Sequence, residues 1–95
     1  MELSSVDHIH QAFVFIDSAV REKNWAEARK WLRRLVPAMK RIASLSPSPE
    51  PWLDLIRSSG ELGRILVRED KARYSDHFAR CMQSVAELAK HIPPQ

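Results

Sequence analysis

Apolar residues recur at intervals of three and four along four segments of this chain, which is the spacing of amphipathic helices. The last segment shows it most clearly, with apolar positions at Tyr74, Phe78, Cys81, Val85, Leu88 and Ile92. The pattern predicts helices over about residues 6–21, 25–45, 51–68 and 71–92. Because the connections are short, consecutive helices must fold back on one another. We therefore predict an all-α fold, an antiparallel four-helix bundle built from two αα-hairpins within one domain.

Capping residues support these boundaries. Ser4 or Ser5 suits the N-cap of the first helix, and Asn24 suits the N-cap of the second. Glu27 follows Asn24 at the spacing of a capping box. Pro51 suits the first turn of the third helix, where a missing backbone N–H costs nothing.

The two middle helices contain residues that disturb a helix. Pro37 removes one backbone hydrogen bond and predicts a kink in the second helix. In the third helix, Gly60 and Gly63 allow two interpretations. They could mark a break, with Ser58 and Glu61 forming a new capping box, or a small-residue face against which another helix packs closely. We predict a single helix bent near Gly60.

Composition limits the compartment and the class of protein. The chain has 95 residues and a single cysteine, so it has no intramolecular disulfide, which is typical of a reducing compartment. Its N-terminal residues lack the basic region of a signal peptide. The longest apolar run, residues 12–16, is far shorter than the roughly 20 residues of a membrane span. We predict a cytoplasmic protein without a membrane span.

Motifs for catalysis or metal binding are lacking in the sequence. There is no phosphate-binding glycine loop, no His-Glu-x-x-His helix and no paired-cysteine motif. His8 and His10 are two residues apart and point to different faces of a helix, so they cannot chelate one metal together. Cys81 falls on an apolar stripe, where a thiol acts as a small hydrophobe. We predict no enzymatic activity, no metal and no cofactor.

Positive charge is concentrated in the second helix. Of the fifteen lysines and arginines, eight lie between residues 21 and 41, together with only two acidic residues. They include a predicted basic face formed by Arg29, Arg33, Arg34, Lys40 and Arg41. This face could bind nucleic acid or an acidic partner. It could also be a solvated surface, partly neutralised by the acidic first helix.

The chain has more apolar residues than four stripes in so small a bundle can bury. The surplus residues are Phe15, Trp25, Trp52, Leu53 and Met82. Some must be exposed or buried between subunits. An exposed apolar patch usually marks a protein-binding surface, whereas apolar residues scattered singly over a surface are ordinary. We predict that a helical segment of a partner, or a second copy of the chain in a homodimer, binds at Tyr74, Phe78, Met82, Val85 and Trp52.

The junction between the first two helices, residues 15–27, has a short polar turn that ends in Trp25. This segment, the proline-containing loop and the final amphipathic helix resemble small flagellar export chaperones of the FliT type over nearly the whole chain. The resemblance implies an all-helical chaperone that masks a segment of a secreted filament-cap protein, with the last helix gating the binding groove.

These observations predict a non-enzymatic protein-interaction module, with an export or secretion chaperone or adaptor as its leading form. The alternative is a small basic nucleic-acid-binding or regulatory protein that uses the basic face of the second helix.

Overall fold

The computed structural model describes residues 6–91 and confirms the predicted all-α bundle of four helices. The helices are α1 (Val6–Arg21), α2 (Trp25–Leu45), α3 (Glu50–Arg68) and α4 (Lys71–His91). Helices α1 and α2 have the predicted bounds, and α3 begins one residue earlier than predicted. The predicted N-cap at Ser4 or Ser5 and the predicted end of the last helix at Ile92 lie outside the described residues.

The helices form a ring in chain order. Each packs against its neighbour in the sequence, and α4 returns to contact α1 across the least extensive of the four interfaces. Within residues 6–91, the backbones of the diagonal pairs, α1 with α3 and α2 with α4, do not come within 8 Å of each other between Cα atoms. This arrangement leaves the outer surface of the α2–α3 pair uncovered by either of the other two helices.

The turn before α2 shows how the predicted cap works. The Asn24 side chain accepts a hydrogen bond from the backbone N–H of Glu27 at 3.2 Å, as predicted. The backbone N–H of Asn24 donates to the carbonyl of Ala19 at 2.8 Å, so it is not satisfied by Glu27. Lys23 adopts a positive φ of 60°, which lets the chain reverse within a few residues. Only one half of the predicted capping box is therefore formed.

Helices α2 and α3 both run through the residues expected to disturb them. Pro37 lies inside α2 and Gly60 lies inside α3, and each helix continues through that residue. The interpretation of a break with a capping box at Ser58 is therefore wrong. Helix α3 ends at Arg68, and the next residue, Glu69, adopts a left-handed conformation (φ 54°) and donates its backbone N–H to the last turn.

The core consists of the apolar stripes predicted from the sequence. Its largest fully buried side chains include Phe13, Ile16, Leu35, Met39 and Leu62. Trp31 of α2 is only half-buried and packs on Phe15 of α1 with ring centroids 4.9 Å apart. The two rings cover one edge of the α1–α2 interface.

One polar side chain is buried in this core. Ser59 on α3 is fully buried, and its Oγ has no hydrogen-bond partner among the residues that the structure describes. A buried hydroxyl without a partner costs free energy because its hydration is lost and not replaced. We expect Ser59→Ala to raise the free energy of unfolding by about 1 kcal/mol in urea denaturation. A smaller gain is expected for Ser75→Ala, an exposed serine of α4, and equal gains would contradict the prediction.

Candidate protein-binding groove

A cleft of about 600 Å³ opens on the outer face of the α2–α3 pair. Its lining comes from these two helices alone and combines apolar side chains, glycine backbone and four arginines. We call it the arginine cleft, lined by Arg29, Leu32, Arg33, Gly60, Gly63, Arg64, Val67 and Arg68. Because α4 contributes no residue to it, the cleft is open while the bundle stays closed.

The two glycines of α3 create the space. An added Cβ at Gly60 would meet no heavy atom within 4 Å, and one at Gly63 would lie 3.4 Å from Leu32 Cδ2. Gly63 is thus in van der Waals range of α2, as the interpretation of a small-residue face requires, whereas Gly60 faces open space. Any larger side chain at Gly60 would project into the cleft.

Apolar surface is available at the cleft's edge. Val67 on α3 is 69% exposed, and Leu32 contributes the opposite wall. Exposed apolar side chains beside a concave surface are typical of protein-binding sites.

Arg29 is fixed at one end of the cleft. Its Nη1 donates to the carbonyl oxygen of Leu66 at 3.1 Å and lies 3.6 Å from Glu69 Oε2. The same oxygen accepts the backbone N–H of Glu69 at 3.3 Å, so the guanidinium adds a second hydrogen bond at the last turn of α3, where the helix's own hydrogen bonding ends. Arg29 therefore ties the start of α2 to the end of α3, and its role is partly structural.

The other three arginines differ in how they are paired. Arg64 lies 2.8 Å from Glu61 in an exposed pair one turn apart on α3. Arg33 and Arg68 make no ion pair with any residue in the described range 6–91. Two guanidinium groups on opposite sides of the cleft are thus available to an incoming anion, and pairing them costs no existing salt bridge.

A second cleft, of about 390 Å³, lies between the same helices toward the α2–α3 loop. We call it the distal cleft, lined by Lys40, Ala43, Ser44, Ser46, Pro49, Leu53 and Ile56. Leu53 is 47% exposed. On a helix with 3.6 residues per turn, Lys40 lies on the same face as Arg33, and Leu53 lies on the same face as Gly60. The two clefts therefore belong to one face, which we call the α2–α3 groove.

The predicted basic face is divided between two surfaces. Arg29 and Arg33 line the arginine cleft and Lys40 lines the distal cleft, whereas Arg34 and Arg41 line neither. The guanidinium carbon of Arg34 instead lies 5.8 Å from the centroid of the Trp31 ring. At that distance, the arginine and the ring attract each other weakly.

The predicted apolar partner-binding residues lie away from the groove. Tyr74, Val85 and Trp52 are buried in the core, with exposures of 4%, 2% and 3%. Phe78 and Met82 are half-buried and pack against the same core. A partner could reach the three buried residues only if the bundle opened. The prediction that they bind a partner stays untested, but the packing gives each of them a structural role.

Tyr74 is the centre of a polar and aromatic contact between α1 and α4. Its hydroxyl donates to Asp17 Oδ1 at 2.9 Å, and Arg21 lies 2.9 Å from the other oxygen of that carboxylate. Its ring stacks on Phe78, with centroids 5.3 Å apart. Burial, followed by the hydrogen bond to the Asp17 carboxylate, raises the pKa of Tyr74 far above its ordinary value. The phenol stays protonated and holds the least extensive helix–helix interface together.

Cys81 and His77 are the other groups with potential reactivity. Burial raises the pKa of the Cys81 thiol to about 12, and the residue is fully buried, so it is a protonated core side chain at neutral pH. His77 Nε2 donates to the carbonyl oxygen of Ser58 at 2.7 Å, which links α4 to α3. Within the described residues, no group of three or more His, Cys, Asp or Glu side chains is placed to hold a metal ion.

Sequence patterns alone do not identify the groove. They reveal the basic residues on one face of α2. The residues of α3 that face them across the groove include Gly60, Arg64 and Val67, and in the sequence Gly60 indicates only a disturbed helix. The available signal is the pair of glycines within one helical turn next to arginine. Its meaning depends on the register of α3 against α2, which the sequence alone does not specify.

No helix within residues 6–91 has both the length and the apolar character needed to cross a bilayer.

Comparison with known proteins and structures reveals no relative of this chain. The chain matches no protein-family model, no curated protein and no solved structure.

Proposed function

We propose that this protein is a protein-interaction module that binds a helical segment of a partner in the α2–α3 groove. The observation that carries the proposal is the arginine cleft, an open concave surface with an apolar wall and glycine backbone at its base. A helix laid in such a groove would become a third member of the α2–α3 layer. Binding of an amphipathic helix in an apolar groove is a common mode of peptide recognition.

The geometry favours a partner with side chains to insert. Gly60 leaves room for an apolar side chain, and Val67 with Leu32 would contact it on either side. Burying one leucine-sized side chain stabilises a complex by about 1.5–3 kcal/mol before the costs of association. A few such anchors at helical spacing would give a specific complex. An export or secretion chaperone, which the resemblance to the FliT type implies, is one form of such a module.

The alternative of nucleic-acid binding is less well supported by the same surface. A nucleic-acid site would use the basic residues together with exposed aromatic side chains on which bases stack. In this protein, Trp25 and Trp31 are half-buried and packed against the core. The apolar side chains that line the cleft with Arg33 are Leu32 and Val67, and such aliphatic groups contribute little to base stacking.

Site-specific photo-crosslinking tests this proposal. A photoreactive residue placed at Val67, in the cells from which the chain comes, is expected to capture a discrete protein. The same residue at Gln83, an exposed position of α4, is the control and should not capture it. We expect Gly60→Leu, which fills the cleft, to abolish the Val67 product.

The matched variant Gly60→Ala separates blocking from misfolding. It adds only a methyl group in open space, and an alanine in a helix interior is more stable than a glycine by about 0.5–1 kcal/mol. A Val67 product that survives in Gly60→Leu, or one captured equally well from Gln83, would contradict the proposal. Capture of nucleic acid in place of protein would also contradict it.

A further inference from the structure

The length of the α2–α3 groove and the residues that line it indicate the chemistry of the partner. This inference rests on the proposed function. The groove runs along α2 from Arg29 to Ala43, since both residues line it. Fourteen residues at a helical rise of 1.5 Å per residue give a length of about 21 Å. A docked helix of about four turns would cover this length.

Apolar contacts exist at both ends of that length. The arginine cleft has Leu32 and Val67, and the distal cleft has Leu53 and Ile56. Between the clefts, half-buried Val36 lies one helical turn from both Leu32 and Lys40, which places an apolar side chain on the same face of α2. A docked helix would need apolar residues along its whole length at spacings of three and four.

The charged side chains that line the two clefts are all basic, and the carboxylates nearest to them, Glu61 and Glu69, are paired with Arg64 and Arg29. Arg33 lies on the α2 side, Arg68 on the α3 side, and Lys40 farther along α2. None of the three forms an ion pair with a residue in the described part of the chain. Carboxylates on both flanks of a docked helix would each meet a cation, whereas lysines would meet like charge, which disfavours binding strongly.

We infer that the partner segment is an acidic amphipathic helix of about four turns. Its apolar stripe fills the groove from Gly60 to Leu53, and its glutamates or aspartates flank that stripe and pair with Arg33, Arg68 and Lys40. The apolar stripe supplies most of the affinity, and the carboxylates select the partner and speed association. Binding therefore weakens as the salt concentration rises but is not lost.

Selection from a displayed library of helical peptides tests the inference, each about 18 residues long so that about two residues extend beyond the groove at either end. Positions at helical spacing are varied among apolar residues, and the flanking positions are varied among Glu, Gln and Lys. We expect enriched peptides to carry Glu at the flanking positions on both sides of the apolar stripe. The affinity of an enriched peptide is then measured by fluorescence anisotropy against variants of the protein.

Two charge-reversal pairs provide matched variants. Arg33→Glu with Arg68→Glu changes two groove cations, and Lys30→Glu with Arg41→Glu changes the net charge equally at exposed positions outside both clefts. We expect the first pair to lower the affinity for the enriched acidic peptide at least tenfold, and the second pair to change that affinity less than twofold. Equal weakening by both pairs would overturn the inference, because only net charge would then be sensed.

The remaining outcomes separate the inference from the proposed function. The enriched peptides could be neutral or basic and still lose binding in Gly60→Leu. That result would overturn the inference that the partner is acidic and leave the groove as the binding site. Failure to enrich any peptide whose binding depends on Gly60 would overturn both. A labelled single-stranded DNA oligonucleotide provides the last comparison. If it binds more tightly than the peptide, competes with it and loses binding in the Arg33→Glu, Arg68→Glu variant, the ligand is nucleic acid and the inference is overturned.

Discussion

Trp52→Ala is expected to lower the free energy of unfolding by about 3–5 kcal/mol, because it removes a large buried aromatic side chain and leaves a cavity. Trp52 is 3% exposed and belongs to the core cluster, although it was counted among the surplus apolar residues expected to bind a partner. A domain of this size is stable by only about 5–15 kcal/mol, so the loss is a large share of the total. Urea denaturation followed by circular dichroism measures it.

The adjacent residue provides the control. Leu53 is 47% exposed, and Leu53→Ala is expected to change stability by no more than about 0.5 kcal/mol. The milder variant Trp52→Phe keeps a measurable transition if Trp52→Ala fails to fold. An unchanged midpoint for Trp52→Ala would show that the indole is not part of the core.

Raising the pH above about 9 is expected to destabilise the protein steeply. The ordinary pKa values are 9.0 for the Cys81 thiol and 10.0 for the Tyr74 phenol, and burial raises the pKa of both in the folded protein, that of Cys81 to about 12. Above these ordinary values the unfolded chain releases protons that the folded chain retains. The stability that these two groups contribute is therefore fully present below about pH 9 and falls as the pH rises, by up to about 1.4 kcal/mol per pH unit for each group.

Variants assign this loss to the two groups. In denaturant titrations between about pH 8 and pH 11, Cys81→Ala should remove the part of the slope that begins near the ordinary thiol pKa of 9.0. Tyr74→Phe should remove the part that begins near the ordinary phenol pKa of 10.0. A wild-type stability that is constant over this range would contradict the prediction, as would an equally steep fall in the double variant.

The fold could be predicted from the sequence because its determinants are local. The spacing of apolar residues identified four helices. Asn24 marked the start of α2 correctly, since its side chain caps the helix by a hydrogen bond to a residue only three positions along the chain. Helix type and boundaries depend on such short-range patterns. Pro37 lies inside α2, which continues through it from Trp25 to Leu45, and the predicted kink stays a prediction.

The groove was harder to predict because it depends on contacts between distant residues. Its walls bring Arg33 together with Gly60 and Arg68, and the apposition depends on the rotation of each helix about its axis. Amphipathic patterns specify that rotation only roughly. The same uncertainty explains why Tyr74 and Val85 were expected at a binding surface, although the ring of helices buries them.

The ring order of the helices has a consequence for how the chain folds. Three of the four helix–helix interfaces join neighbours in the sequence, so most contacts close short loops, and proteins of this kind fold within about microseconds to milliseconds. The α1–α4 interface alone brings the first and last helices together. We therefore expect the two hairpins to assemble early and the Asp17–Tyr74 contact to form late, which makes closure of the ring the last event in folding and its opening the first event in unfolding.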